Sequence, residues 1–134
     1  MFADLDCFKP VNDLLGHEIG DHVLLLTANM LRDAVRPTDL VARLGGDEFA
    51  LWMNGADHMT AAERADRLCA DVPRALQTIV GDGQSAPTLS IGIASRHAGS
   101  DEGIGNLLRR ADRAMYEVKR SGRGRWHVAG EEAT

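Results

Sequence analysis

Two rhythms of apolar residues divide the chain. Between Thr88 and Ser95 the alternation is strict: Leu89, Ile91 and Ile93 fall on one side, Ser90, Gly92 and Ala94 on the other. That is the period of a strand with one apolar face and one face of small residues, against which a helix can pack closely. A helical period runs through Val23, Leu24, Thr27, Ala28, Met30, Leu31, Ala34 and Val35, in a helix opened by Gly20-Asp21 and ended by Pro37. A second runs through Ala61, Ala62, Ala65, Leu68, Cys69 and Val72, with Thr60 and Glu63 as a capping box. Pro73 is expected to kink or end it, although Leu76 and Ile79 continue the pattern. A third runs through Ile104, Leu107, Leu108, Ala111, Met115 and Val118 and is closed by Gly122.

Shorter segments lie between these. Met1 to Leu5 is a strand candidate running into Asp4-Leu5-Asp6, Cys7 to Asn12 a turn containing Pro10, and Asn12 to Leu15 one helical turn ended by Gly16. Apolar runs on either side of Gly45-Gly46 predict a β-hairpin with a tight primed turn, from about Leu40 to Met53. Arg125 to Val128 fits a final edge strand, and residues 129–134 a disordered tail. The resulting order, β-α-β-β-α-β-α-β, predicts an α+β, ferredoxin-like sheet with flanking helices.

With 134 residues the chain has the length of one domain, and 44% apolar residues give it a real core, aliphatic because only 4% are aromatic. A net charge of −5 argues against sequence-independent binding of nucleic acid and against a membrane-surface role, while leaving room for a locally basic phosphate site. Cys7 and Cys69 lack zinc-ligand spacing and make no disulfide framework, which points to a reduced, cytoplasmic protein. No signal peptide is visible, and apolar runs such as Val23 to Leu26 are far too short to insert in a membrane.

The chemistry concentrates at the hairpin. Asp47-Glu48 sets two repelling carboxylates just past the turn, where a cation or a hydrogen-bonded ligand would relieve them, and the glycines let a ligand lie against the backbone. Asp4 and Asp6 share one face of the first strand. If the first and third strands are neighbours, Asp4 and Asp47 converge, and paired carboxylates with substrate phosphates are what Mg²⁺ uses. Blander readings exist for each residue. Asp4 can be a strand-end aspartate, and Asn12 and Asp21 can be helix caps. Lys119 and Arg123 can be cations against a helix C-terminus, and Arg36-Pro37-Thr38-Asp39 a helix end with a turn. The histidines have no metal-ligand spacing. No Walker A lysine pattern, Gly-x-Gly-x-x-Gly after a strand, or nucleophile elbow is present.

The run Arg43-Leu44-Gly45-Gly46-Asp47-Glu48-Phe49 resembles the signature of the GGDEF family of bacterial diguanylate cyclases. So does the longer run from Phe8 to Asp21, and the stretch Arg110 to Tyr116 with Gly122-Arg123 resembles the family's closing motif. The resemblance covers residues 1–128, with one departure: Gly124 follows Gly122-Arg123 where the family usually has asparagine. It implies a fold related to nucleotidyl cyclase and polymerase palm domains. It implies condensation of two GTP into cyclic di-GMP and two pyrophosphates across a homodimer of GGDEF domains, with two Mg²⁺ per site, or Mn²⁺ in their place. Carried over, Asp4, the Leu5 carbonyl and Asp47 hold metal, and Glu48 helps the ribose 3′-hydroxyl lose its proton. The substrate contacts are Phe8, Lys9, Asn12, Asp21, Gly45, Gly46, Lys119 and Arg123. Asn12 and Asp21 read the guanine edge, and Lys119 and Arg123 take the triphosphate. Arg36 and Asp39, with Arg67 in support, match the inhibitory site for cyclic di-GMP.

Two other readings stay open: a cyclic di-GMP-binding regulatory module without activity, and a cyclase acting on a single GTP or ATP. The presence of Asp4, Asp47 and Glu48 favours the diguanylate cyclase. Family members carry a helix before the first strand, so the chain is expected to be an N-terminally truncated domain, marginally stable and weakly active alone.

Overall fold

The computed structural model describes residues 1–130. A five-stranded sheet has the order β2-β3-β1-β4-β5. Its strands are β1 (Phe2–Asp6), β2 (Leu40–Gly45), β3 (Glu48–Trp52), β4 (Thr88–Ile93) and β5 (Trp126–Val128). The first strand is central, antiparallel to β3 and β4, and β5 closes one edge parallel to β4. Around the sheet run α1 (Phe8–Leu15), α2 (His17–Asp33), α3 (His58–Val80) and α4 (Ile104–Arg120). This is the expected α+β, ferredoxin-like arrangement.

One face of the sheet, with Ala3, Leu5, Phe49, Leu51, Leu89, Ile91 and Ile93, packs with α2 and α3 into a continuous aliphatic core. The other face takes α4. The small-residue side of β4 is what admits it: a Cβ on Gly92 would sit 2.2 Å from the Ala111 carbonyl oxygen and 2.3 Å from the Met115 nitrogen. No side chain larger than hydrogen fits between strand and helix there.

Four expectations need correction. Cys7 to Asn12 is not a turn, because α1 starts at Phe8 and carries Pro10 in its first turn. A proline there removes only a donor that has no intrahelical partner, while Phe8 and Val11 bury one face. Second, α2 starts at His17, before Gly20-Asp21, and its last residue is Asp33. Gly20 marks instead where α1 crosses α2, since a Cβ on it would meet Asn12 Oδ1 at 1.7 Å. Third, the cap of α3 is Asp57, whose Oδ1 accepts from the Thr60 nitrogen at 2.8 Å; Thr60 is inside the helix. Fourth, Pro73 does not end α3, because Val72, Leu76 and Val80 carry the buried stripe straight through it. Those three side chains contribute ~1.5–3 kcal/mol each against ~3 kcal/mol for an interior proline.

The cap at Gly122 is as expected: Gly122 has φ 119°, and the Arg123 nitrogen donates back to the Val118 carbonyl at 3.0 Å, the long bond of a Schellman ending. The hairpin forms where expected, but its turn is shifted by one residue: Gly45 still belongs to β2, and Asp47 sits in the turn instead of past it. Arg43 pairs with Phe49 and Gly45 with Glu48, with a bulge at Leu44 and a two-residue loop of Gly46 and Asp47. Of the tail expected over 129–134, the Ala129 nitrogen donates to the Ile93 carbonyl at 2.7 Å, and residues 131–134 lie outside the described residues. No helix among the described residues is long and apolar enough to cross a membrane.

Candidate active site

The register of the central strand assembles the site. Asp4 pairs with Glu48 on one side and with Ser90 on the other. The Leu5 nitrogen donates to the Asp47 carbonyl at 3.2 Å, which draws the Gly-Gly turn against the end of β1. Asp4 and Asp47 converge as expected, the Asp47 carboxylate lying near enough to act on the Asp4 carboxyl. Burial pushes the Asp4 carboxyl up to about 6; the Lys119 ammonium opposes the rise and the Asp47 carboxylate adds to it.

Lys119, in the last turn of α4, bridges the strand's two acids, with Nζ 3.2 Å from Asp4 Oδ2 and 2.6 Å from Asp6 Oδ1. Burial alone would lower its pKa, but the hydrogen bond it donates to Asp6 and the charges of Asp6 and Asp4 raise it instead. Asp4 Oδ1 is buried without a hydrogen-bond partner. A half-buried carboxylate with one orphaned oxygen, beside a second carboxylate, fits a hard cation that takes oxygen ligands. Among the described residues no three His, Cys, Asp or Glu form a ready-made cage. The carboxylates of Asp4 and Asp47 are the oxygen donors here that could hold such a cation.

Glu48 is exposed beside Asp47. Gly45 and Gly46, at φ 151° and 50°, have no heavy atom within 4 Å of a built Cβ, so the turn is open to a ligand. Arg43 Nε donates to the Gly46 carbonyl at 2.9 Å and steadies the loop. On the other side of β1, Asn12 and Asp21 flank the α1–α2 crossing at Gly20, while Lys9 is exposed. Phe8 faces the core, with its ring beside Gly20. Arg123 is exposed at the end of α4, in the left-handed region at φ 65°, with Nη1 3.8 Å from Cys7 Sγ. Gly124 follows at φ 66°. Glycine and asparagine are the residues that occupy such a φ at least cost, which accounts physically for the one departure from the family motif.

Arg36 and Asp39 form a separate cluster at the start of β2. Asp39 is buried, and its two oxygens accept from the Arg36 nitrogen at 2.9 Å and the Asn54 nitrogen at 3.1 Å. Burial would raise its pKa, but these bonds and the Arg36 charge hold it below the usual carboxylate value. The Arg36 guanidinium donates to the Asn54 carbonyl, and its side chain is 53% exposed. Arg67 is exposed on α3.

Sequence reasoning missed Asp6. Its carboxylate is buried and accepts from Thr88 Oγ1 at 2.7 Å, Ser90 Oγ at 2.7 Å, Lys119 Nζ at 2.6 Å and the Gly124 nitrogen at 3.1 Å. A signal existed: Asp4 and Asp6 share a strand face, and so do the hydroxyls of Thr88 and Ser90. Only the register, Asp4 with Ser90 and Asp6 with Thr88, puts the two pairs together.

A family model described as diguanylate cyclase, GGDEF domain, matches residues 1–125, and the chain belongs to that family. It is 42% identical over 134 residues to diguanylate cyclase TpbB of Pseudomonas aeruginosa, and 36% identical over 126 residues to diguanylate cyclase A of Treponema denticola. Those alignments cover 96% and 93% of this chain but only 29% and 33% of the relatives, so the chain spans a third or less of their length. Among solved structures, it superposes on the isolated GGDEF domain of TpbB with a TM-score of 0.82 at 41% identity, covering 96% of this chain and 74% of that one. It superposes on the GGDEF domain of DgcB from Caulobacter crescentus, solved in complex with cyclic di-GMP, with a TM-score of 0.81 at 32% identity, covering 95% and 74%. The fold is thus the palm-like cyclase fold of these domains.

Proposed function

We propose that this domain condenses two GTP molecules into cyclic di-GMP and two pyrophosphates, each of two facing copies holding one GTP. The observation that carries the reading is the meeting of Asp4, Asp47 and Lys119 at one end of the central strand, beside an open glycine turn. Asn12 and Asp21, at the α1–α2 crossing, offer the donor and acceptors that a guanine edge requires. Lys119 and Arg123 bring two cations from the end of α4 to the triphosphate. Each ribose 3′-oxygen forms a bond to the α-phosphorus of the other GTP, the bond from that phosphorus to pyrophosphate breaks, and Glu48 receives the hydroxyl proton. Nothing is oxidised or reduced, and catalysis is positioning plus electrostatics. The family is metal-dependent. Two Mg²⁺ ions, held by Asp4, Asp47 and the Leu5 carbonyl, would supply charge neutralisation at the phosphates and a more acidic 3′-hydroxyl. With GTP as substrate, the domain works in the cytoplasm.

Arg36 and Asp39, with Arg67 of α3 in support, are the proposed inhibitory site for the product. The support is the half-exposed guanidinium of Arg36, fixed at its base by Asp39 and Asn54. The test is incubation with GTP and Mg²⁺ followed by chromatography. Cyclic di-GMP is the expected product, and Asp47→Ala, at a turn, is expected to abolish it while the fold persists. A cyclic mononucleotide, or no product from a dimerised chain, would overturn the reading.

A further inference from the structure

Asp6 has no part in the chemistry assigned above, yet it is the most heavily bonded side chain at the site. It is 3% exposed, with no surface to offer a substrate. Its donors come from three separate elements: Thr88 and Ser90 on β4, Lys119 on α4, and the backbone nitrogen of Gly124 past the end of α4. Ser90 Oγ also accepts from the Gly124 nitrogen at 3.2 Å, so the carboxylate and the hydroxyl grip one N–H together. Gly124 directly follows Arg123, a non-glycine residue in the left-handed region, a conformation that needs outside support. Gly124 also lies against the strand, where a Cβ would make ordinary contact with Thr88 Cβ and Oγ1 at 3.4 Å.

We propose that Asp6 is a positioning residue for the phosphate-binding cations. It anchors the Lys119 ammonium and pins the backbone behind Arg123, so that both cations stand ready at the mouth of the site. The inference rests on the reading that Lys119 and Arg123 take the triphosphate. The two β4 hydroxyls satisfy the carboxylate from behind and leave Lys119 on its open side. Because Lys119 touches Asp4 as well as Asp6, it can leave Asp4 to metal and phosphate and keep its second tether. An untethered lysine would have to be fixed anew each time GTP bound.

The test is a double-mutant cycle on the full chain, read by calorimetry with the non-hydrolysable α,β-methylene analogue of GTP and Mg²⁺, with a thermal melt of each variant. Asp6→Asn and Lys119→Met are each expected to weaken binding by about tenfold or more, the scale of one lost charged hydrogen bond. The double variant is expected to lose clearly less than the two single losses combined, because the Lys119 share of the Asp6 support is already gone and only the Arg123 share remains. Losses that add in full would make Asp6 a structural residue only and overturn the proposal, as would wild-type affinity in Asp6→Asn. Wild-type affinity in Lys119→Met with loss in Asp6→Asn would instead overturn the phosphate reading on which the proposal stands. If Asp6→Asn does not fold, Thr88→Val removes one donor from behind the carboxylate. It is then expected to weaken binding about threefold with Lys119 present and measurably less in the Lys119→Met background. An equal effect in both backgrounds overturns the proposal.

Discussion

Two glycines show how the cost of a single Cβ depends on what it would strike. At Gly92 the obstacles are backbone atoms of α4, which cannot move without the helix moving. Gly92→Ala is expected to destabilise the domain by at least ~1–3 kcal/mol in urea denaturation, the cost of overpacking. At Gly20 the obstacle is the tip of the Asn12 side chain, which can rotate away, and alanine improves helix propensity by ~1 kcal/mol. Gly20→Ala is therefore expected to melt at or above the wild-type temperature and yet to bind the GTP analogue more weakly, with Asn12 driven from its place. Asp4 gives a third residue-scale expectation. Its pKa is raised from 3.8 to about 6, so its stability contribution is complete below about pH 3.8 and is lost as pH rises through about 6. Without metal, Asp4→Asn should gain stability relative to wild type across that window. Denaturation at stepped pH with a chelator checks it, and no relative gain would mean that Lys119 fully compensates the charge.

At the scale of elements, the sequence carried some boundaries and concealed others. The β4 alternation and the Gly-Gly hairpin were legible because their periods and turn residues are local. The first helix was not, because eight residues with two buried apolar positions give little periodicity and Pro10 reads as a breaker. The α3 start was misplaced by three residues because Asp57 and Thr60 both fit a cap, and only the bond from the Thr60 nitrogen to Asp57 separates them. Pro73 within α3 leads to a prediction: Pro73→Ala should restore a backbone bond and stabilise the domain by ~2 kcal/mol, measurable as a shifted urea midpoint. The Arg36–Asp39 corner leads to another. Asp39 has a lowered pKa, so its contribution is present above the ordinary carboxylate value and is lost as pH falls through its folded value. Asp39→Asn should lose stability against wild type at neutral pH, and that difference should shrink on acidification.

For the whole molecule, the proposed reaction makes the two-copy requirement measurable. Output of cyclic di-GMP per chain should rise with protein concentration until pairing saturates. A rate per chain that stays flat across dilution would place the full chemistry in one copy. What the sequence could not convey at this scale was the meeting of distant residues. Asp6 and Lys119 lie 113 positions apart, and only the sheet order brings them within 2.6 Å.

That same wiring dictates when the site can come into being. Of the five strands of this sheet, the one bearing Asp4 and Asp6 comes earliest in the chain, yet it sits in the middle, and both its neighbours come later. The bonds that Asp6 accepts span 82, 84, 113 and 118 positions. Long-range closures of this kind are slow to form. A nascent chain exposed on the ribosome only through residue 100 would hold both carboxylates and the glycine turn, but not Lys119 to stand between them. On the proposed function, competence to take a nucleotide thus arrives in one late step, with α4, rather than growing with the chain.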